Sequence, residues 1–208
     1  MPAVARQRIA RGVPAWLWVA WGAFALAAVA ALRRRENRPA GLAGALITLL
    51  TVAFFRDPER TPEAQGILAS ADGRVVAVDR RDDGRWRVAT YMSLRDVHVN
   101  RAPADAVVRS VEYRPGGHVP AFDKDSERNE RLRWTVDTAE GEMEIIQIAG
   151  ALARRIVPYR APDEAIRRGE RIGLIRFGSR VDVVLPLGIE PAVAVGDRLR
   201  AGESRLAR

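Results

Sequence analysis

The sequence predicts a mainly β protein with some α (an α+β class): a β-rich barrel or sandwich domain preceded by an N-terminal transmembrane helical hairpin. Three observations predict it. Two long apolar runs without a charge stand near the N-terminus. Beyond residue 56 the chain breaks into short strand-like stretches punctuated by glycine and proline. The charge is also unevenly placed. Before residue 56, seven arginines stand against the single acid Glu36, so +6 of the net +8 flanks the apolar runs.

The first run, 13–32, is long enough for a helix of roughly 30 Å, about one hydrocarbon core. Trp16, Trp18 and Trp21 crowd its first half, as interfacial aromatics do. RRRENR follows, and a second run occupies 39–55, at the lower length limit for a span. Two runs with a short basic connection read as a hairpin with both ends on one side; the alternative for each run is a buried core helix. A cleaved signal peptide fits less well, because the first run is long for an h-region and a second follows directly. Arginines on both sides leave the positive-inside count leaning only slightly toward cytoplasmic ends.

The expected strands lie at Ile67–Ala69, Arg74–Val78, Arg85–Met92, Ala106–Tyr113, Arg131–Asp137, Glu142–Ile148, Ile172–Phe177 and Arg180–Leu185. Turn pairs such as Asp72-Gly73, Asp83-Gly84 and Glu140-Gly141 separate them. Ala151–Val157 reads as either a short helix or a strand. About 150 residues suffice for one core of this kind. The domains are therefore drawn as 1–55 for the hairpin and 56–208 for the β-rich part.

Composition removes whole classes of chemistry. The chain has no cysteine, so disulfides, zinc–thiolate sites and thiol nucleophiles are excluded. Lys124 is its only lysine, which makes a lysine-bound pyridoxal cofactor unattractive. No metal site is expected. Residues 56–208 are nearly neutral, which argues against a nucleic-acid groove and leaves a membrane surface as the partner of the basic N-terminal part.

The residues able to do chemistry are few. His98 follows a strand, where a side chain can line a cleft, and His118 sits in a Gly-Gly loop. Ser179 lies in a Gly-Ser turn between two apolar strands, and Asp72 in an Asp-Gly turn. Each has an ordinary reading as a loop or turn residue. Together they supply a nucleophile, a base and an orienting carboxylate, without a motif that proves they meet.

The ordered set FFRDPER, ILASADGRVV, YMSLRDVHVNRAP, PGGHVPAFDKDSERNER, GEMEIIQIAGALARRIV and GERIGLIRFGSRVDVVLP covers nearly all of residues 54–187. It resembles the phosphatidylserine decarboxylase family, in its short form. The resemblance implies a membrane-bound zymogen that cuts itself between Gly178 and Ser179 into a β chain, 1–178, and an α chain, 179–208. It implies that Ser179 becomes a covalent pyruvoyl group, a ketone that binds the substrate's amine and serves as electron sink without pyridoxal phosphate. The partner it implies is a phospholipid: phosphatidylserine, or a related ether lipid, losing carbon dioxide to give the ethanolamine lipid. A bacterial inner membrane with a cytoplasmic catalytic domain is the implied setting, and a homodimer through an exposed sheet edge stays open.

Roles follow residue by residue from the resemblance. Ser179 is the self-cleavage nucleophile, with Gly178 as its partner at the cut bond. His98 is a base in processing, a proton carrier in decarboxylation, or both. Asp72 orients or polarises that histidine, with Asp96 as its rival. The second histidine of the family's long form falls on Arg101, so His98 or His118 must take over any role it had. Arg180, beside the reactive serine, joins Arg101 and His118 as a candidate for binding the substrate's carboxylate or phosphate. Two other readings stay open on the residues alone: a membrane-anchored β-barrel adaptor of biotinyl or lipoyl type, and a membrane-tethered serine hydrolase using Ser179, His98 and Asp72.

Overall fold

The computed structural model describes residues 7–34, 38–63, 65–117, 119, 128–150, 155–176 and 179–208. The chain divides into two compact units between Pro58 and Glu59. In the first unit, β1 (Gln7–Ile9), α1 (Ala15–Arg33), α2 (Arg38–Phe54) and β2 (Arg56–Pro58) follow one another. The antiparallel β1–β2 ladder ties the two ends of the unit together. Apolar residues on every side of α1 and α2 favour helix but leave no polar face. Thr51 near the end of α2 accepts a 2.8 Å hydrogen bond from the Trp21 indole near the start of α1, so the helices run antiparallel.

The two apolar runs are thus two antiparallel helices of close to the expected lengths, 19 and 17 residues. At 1.5 Å per residue, 19 and 17 residues reach only about 28 and 25 Å. Arg33 and Arg38 fall inside the helices, and Pro39 occupies the first turn of α2. Among the described residues no helix is long and apolar enough to cross a membrane.

The second unit holds β3 (Ile67–Leu68), β4 (Gly73–Arg80), β5 (Trp86–Met92), β6 (Val99–Arg101), β7 (Ala106–Arg114), β8 (Arg131–Thr138), β9 (Gly141–Ala149), β10 (Ile156–Pro158), β11 (Ala165–Ile166), β12 (Arg171–Ile175), β13 (Ser179–Val184), β14 (Arg198–Leu199) and β15 (Arg205–Ala207). Eight of them form one sheet in the order β11-β7-β8-β9-β13-β5-β4-β14. Every pairing is antiparallel. The terminal strands β11 and β14 do not pair with each other, so the sheet stays open, and of the expected barrel or sandwich the β-rich character is what the structure shows. Each of these edge strands is only two residues long, which leaves little ladder to extend.

A smaller sheet, β10-β12-β6, adjoins β9, and β15 pairs with β3. Alternation along the strands decides what fills the space between them. Leu132, Trp134 and Val136 of β8 share one buried face with Ile145, Val181, Val183 and Val88. The expected strands all have counterparts here. Of Ala151–Val157, residues 151–154 lie outside the described part, and Ile156 begins β10.

One polar chain crosses this apolar interior. Trp134 donates its indole N–H to Gln147 Oε1 at 2.8 Å, and Gln147 Nε2 donates to Asn100 Oδ1 at 2.8 Å. Asn100 Nδ2 then points at the Met92 sulfur, 3.6 Å away. All four side chains are fully buried, so the chain joins the large sheet to the small one. A bulge in β12 brings Gly173 against it. A Cβ there would stand 2.9 Å from the Val157 carbonyl oxygen and 3.0 Å from Gln147 Nε2, so only glycine lets the two sheets approach this closely.

Candidate active site

Four strand ends meet at one end of the large sheet. Ser179, the first residue of β13, pairs with Met92 at the end of β5 and with Ala149 at the end of β9. β4 begins at Gly73 beside them, directly after Asp72. Gly73 has φ of +146°, and a Cβ there would sit 2.0 Å from the Tyr91 carbonyl oxygen. The turn that carries Asp72 therefore requires glycine at 73.

Ser179 is fully buried. Its Oγ has no hydrogen-bond partner among the described residues. A buried hydroxyl left in this state costs roughly 1–3 kcal/mol, which suits a group kept available for chemistry. Its neighbours across both ladders, Met92 and Ala149, carry no charge.

His98 is also fully buried. It immediately precedes β6, and its carbonyl accepts the Ile175 amide at 3.2 Å, four residues before Ser179. Its Nδ1 lies 3.0 Å from the Asp96 carbonyl oxygen. A carbonyl can only accept, so Nδ1 carries the proton and Nε2 keeps the basic lone pair in the neutral ring. His98 thus sits beside the end of β12, the strand that stops four residues before Ser179.

Asp72 lies at the Ser179 end of the large sheet but holds other partners. Its Oδ2 accepts from Arg60 Nη2 at 2.8 Å and its Oδ1 from the Ala201 amide at 2.8 Å. The oxygen on the histidine's Nδ1 belongs to the main chain of Asp96, not to the carboxylate of Asp72. The Asp96 side chain is itself held by the amide and hydroxyl of Ser93, at 2.8 and 2.7 Å.

Both expected binding arginines hold partners within the protein. Arg180 follows Ser179 along the strand and so faces the opposite side of the sheet. There it grips Asp182 at two points, 2.7 and 2.8 Å. Burial pushes the Asp182 carboxyl above its usual range, against the pull of Arg180 and Arg87. Arg101 is buried in β6 and donates to the Gly169 carbonyl at 2.9 Å. Gly178 and His118 lie outside the described residues. Among the described residues no group of histidines and acids could hold a metal ion.

Sequence reasoning passed over Asn129. It is buried, and its amide nitrogen donates to the Ala149 carbonyl and the Val119 carbonyl, both at 2.7 Å. Its Oδ1 accepts the Val119 amide at 3.0 Å. It therefore fastens the Gly-Gly loop to the residue paired with Ser179. A lone glutamine inside the apolar run EIIQIAG was the legible sign of the other omission, the Gln147 chain.

These strands make an antiparallel β-rich domain with a buried serine hydroxyl, without a partner among the described residues, at the head of a central strand. The family model described as phosphatidylserine decarboxylase matches residues 47–207. The chain is 53% identical over 201 residues, 97% of its length and 93% of the relative's, to the phosphatidylserine decarboxylase proenzyme of Thermobifida fusca. It is 49% identical over 208 residues to the protein of that name in Streptomyces coelicolor, covering 99% of this chain and 94% of the relative. A Halobacterium salinarum protein named as an archaetidylserine decarboxylase proenzyme is 45% identical over 203 residues, 96% of this chain and all of the relative. The chain belongs to the phosphatidylserine decarboxylase family. It is a decarboxylase, and neither the adaptor nor the hydrolase reading gains support from these matches.

Proposed function

We propose that the chain is a proenzyme that cuts itself between Gly178 and Ser179 and then removes carbon dioxide from the serine head group of a phospholipid. Phosphatidylserine, or the ether-linked archaetidylserine, is the substrate, and the ethanolamine lipid is the product. The observation that carries this reading is the buried Ser179 hydroxyl, available among the described residues at the start of β13.

His98 takes the proton of Ser179 on Nε2 while the Asp96 carbonyl holds Nδ1–H. The Ser179 oxygen attacks the Gly178 carbonyl, and the amide becomes an ester as the nitrogen leaves. Loss of the Ser179 α-proton then expels the Gly178 carboxylate, leaving dehydroalanine. Hydrolysis releases ammonia and leaves a ketone at residue 179. The residues fit such a pyruvoyl group: the hydroxyl it derives from is buried between two uncharged neighbours. When present, the group supplies the electron sink that decarboxylation needs. His98 afterwards holds the proton that replaces the lost carboxylate. Asp72 holds the Ala201 amide, and with it the C-terminal chain, through both stages.

The hairpin serves the lipid substrate. Trp16, Val19, Leu26, Leu42, Leu46 and Leu49 are all exposed on it. An apolar surface of this kind calls for a cover, and lipid provides one for a hairpin that enters the bilayer without the length of a full span. Intact mass tests the core of the reading. Two pieces are expected, 1–178 and 179–208, the smaller without a free amine, and Ser179→Ala is expected to remain one chain. Uncut protein that still converts serine lipid to ethanolamine lipid overturns the mechanism.

A further inference from the structure

Asn100 belongs to β6, in the small sheet, yet its amide makes its contacts on the large one. Its Oδ1 accepts from Gln147 Nε2 at 2.8 Å, and its Nδ2 points at the Met92 sulfur, 3.6 Å away. Gln147 lies on β9 and Met92 on β5, the two strands that flank β13. Met92 is paired with Ser179, and Gln147 with Val181, two residues further along. The small sheet is thus fastened on both sides of Ser179–Val181, a stretch of about 7 Å at the head of β13.

His98 stands two residues before Asn100. The ladder between β6 and β12 runs on past Val99, where the Ile175 amide donates to the His98 carbonyl at 3.2 Å. The chain is extended here, so alternation puts the two side chains on one face. Both are fully buried. β6 is only three residues long, and its pairing with β12 shifts register between Arg171 and Gly173. Apolar contact between the two sheets is non-directional. A hydrogen bond fixes both distance and angle, and Asn100 supplies that fixed point on the short strand that follows His98.

The far end of the polar chain decides which way each amide turns. The Trp134 indole can only donate, so the Gln147 oxygen faces it and the Gln147 nitrogen faces Asn100. Asn100 then presents its oxygen to Gln147 and its nitrogen to Met92. Two buried amides give little cohesion that apolar side chains of the same shape would not give. What they add is a single defined alignment of the sheets.

We propose that Asn100 is the positioning residue that holds His98 in register with Ser179. It acts through the strand it shares with the histidine and takes no part in the bond changes. The inference rests on His98 being the base that accepts the Ser179 proton. Without the Asn100 hold, β6 is free to shift against β13, and a misplacement of about 1 Å costs roughly 10²-fold in rate.

The test times self-cleavage of freshly made full-length protein on gels across pH. The parent is compared with Asn100→Leu, His98→Asn and the double variant. Asn100→Val, smaller and suited to a strand, replaces the leucine variant should that misfold. Val136→Ala, a change in the buried core on β8, controls for lost stability alone. Folded Asn100→Leu is expected to cleave about 10²-fold more slowly than the parent with its pH midpoint unmoved. The double variant is expected to be no slower than His98→Asn, because the two residues act as one unit. Three results overturn the proposal while leaving His98 as the base: a folded Asn100 variant cleaving at the parent's rate, equal slowing in Val136→Ala, or a double variant slowed by the product of the single effects. A moved pH midpoint in Asn100→Leu also overturns it, by placing Asn100 in the proton transfer. His98→Asn cleaving at the parent's rate removes the base itself, and the proposal with it.

Discussion

Arg180 and Asp182 meet at two points on the outer face of β13, Nε to Oδ1 at 2.7 Å and Nη2 to Oδ2 at 2.8 Å. Both are nearly buried, with side-chain exposures of 10% and 2%. Arg180→Met leaves the carboxylate without its main partner, which costs about 3–5 kcal/mol near neutral pH. The pH dependence has a definite sign. Burial already lifts the folded Asp182 above 3.8, and loss of Arg180 lifts it further. Stability from a raised carboxyl is present below the unfolded value and lost as pH rises through the folded one. Urea denaturation of the variant is therefore expected to show its deficit shrinking as pH falls toward 4.

His98→Asn tests the proposed base. Asparagine can still donate to the Asp96 carbonyl from the position of Nδ1, but it has nothing in place of Nε2. Self-cleavage is expected to slow by about 10²–10⁴ while the melting temperature stays close to the parent's. A gel time course of freshly made protein measures it, and cleavage at the parent's rate removes His98 from the chemistry.

Asp72→Asn separates a clamp from a catalytic carboxylate. The Arg60 pair is buried, at 7% and 12% side-chain exposure. Its loss is expected to cost about 3–5 kcal/mol by denaturation. The pH midpoint of self-cleavage is expected to hold, because the oxygen on His98 Nδ1 comes from Asp96. A moved midpoint would place Asp72 behind the histidine instead.

Gln147→Leu removes the middle of the buried polar chain. It strands the Trp134 N–H and the Asn100 carbonyl oxygen, each worth roughly 1–3 kcal/mol when unsatisfied. A loss of about 2–5 kcal/mol in urea denaturation is expected.

What the residues disclosed in advance follows a physical division. Long strands announce themselves, β8 by alternation and β9 by an apolar run behind the Glu140-Gly141 turn pair, and the hairpin by its lack of charge. β6, β11 and β14 are two or three residues long, too short for a period to register, and exist only because distant partners align them. Family resemblance, not the local Gly-Ser turn, singled out Ser179, and its complete burial could not be read from that turn. The direction of Arg180 was open to simple reasoning, since it must face away from Ser179. The occupation of Asp72 was not, because Ala201 lies 129 residues away along the chain.

β13 runs between β9 and β5, and β14 and β15 complete the ladders of β4 and β3. A break ahead of Ser179 would leave two polypeptides woven into one fabric, neither able to close its own pairings. Maturation would then erase the covalent memory that guided assembly. Renaturation would change from a first-order process to an encounter between strangers, with a yield that climbs with protein concentration. The uncut Ser179→Ala chain would regain its shape at any dilution.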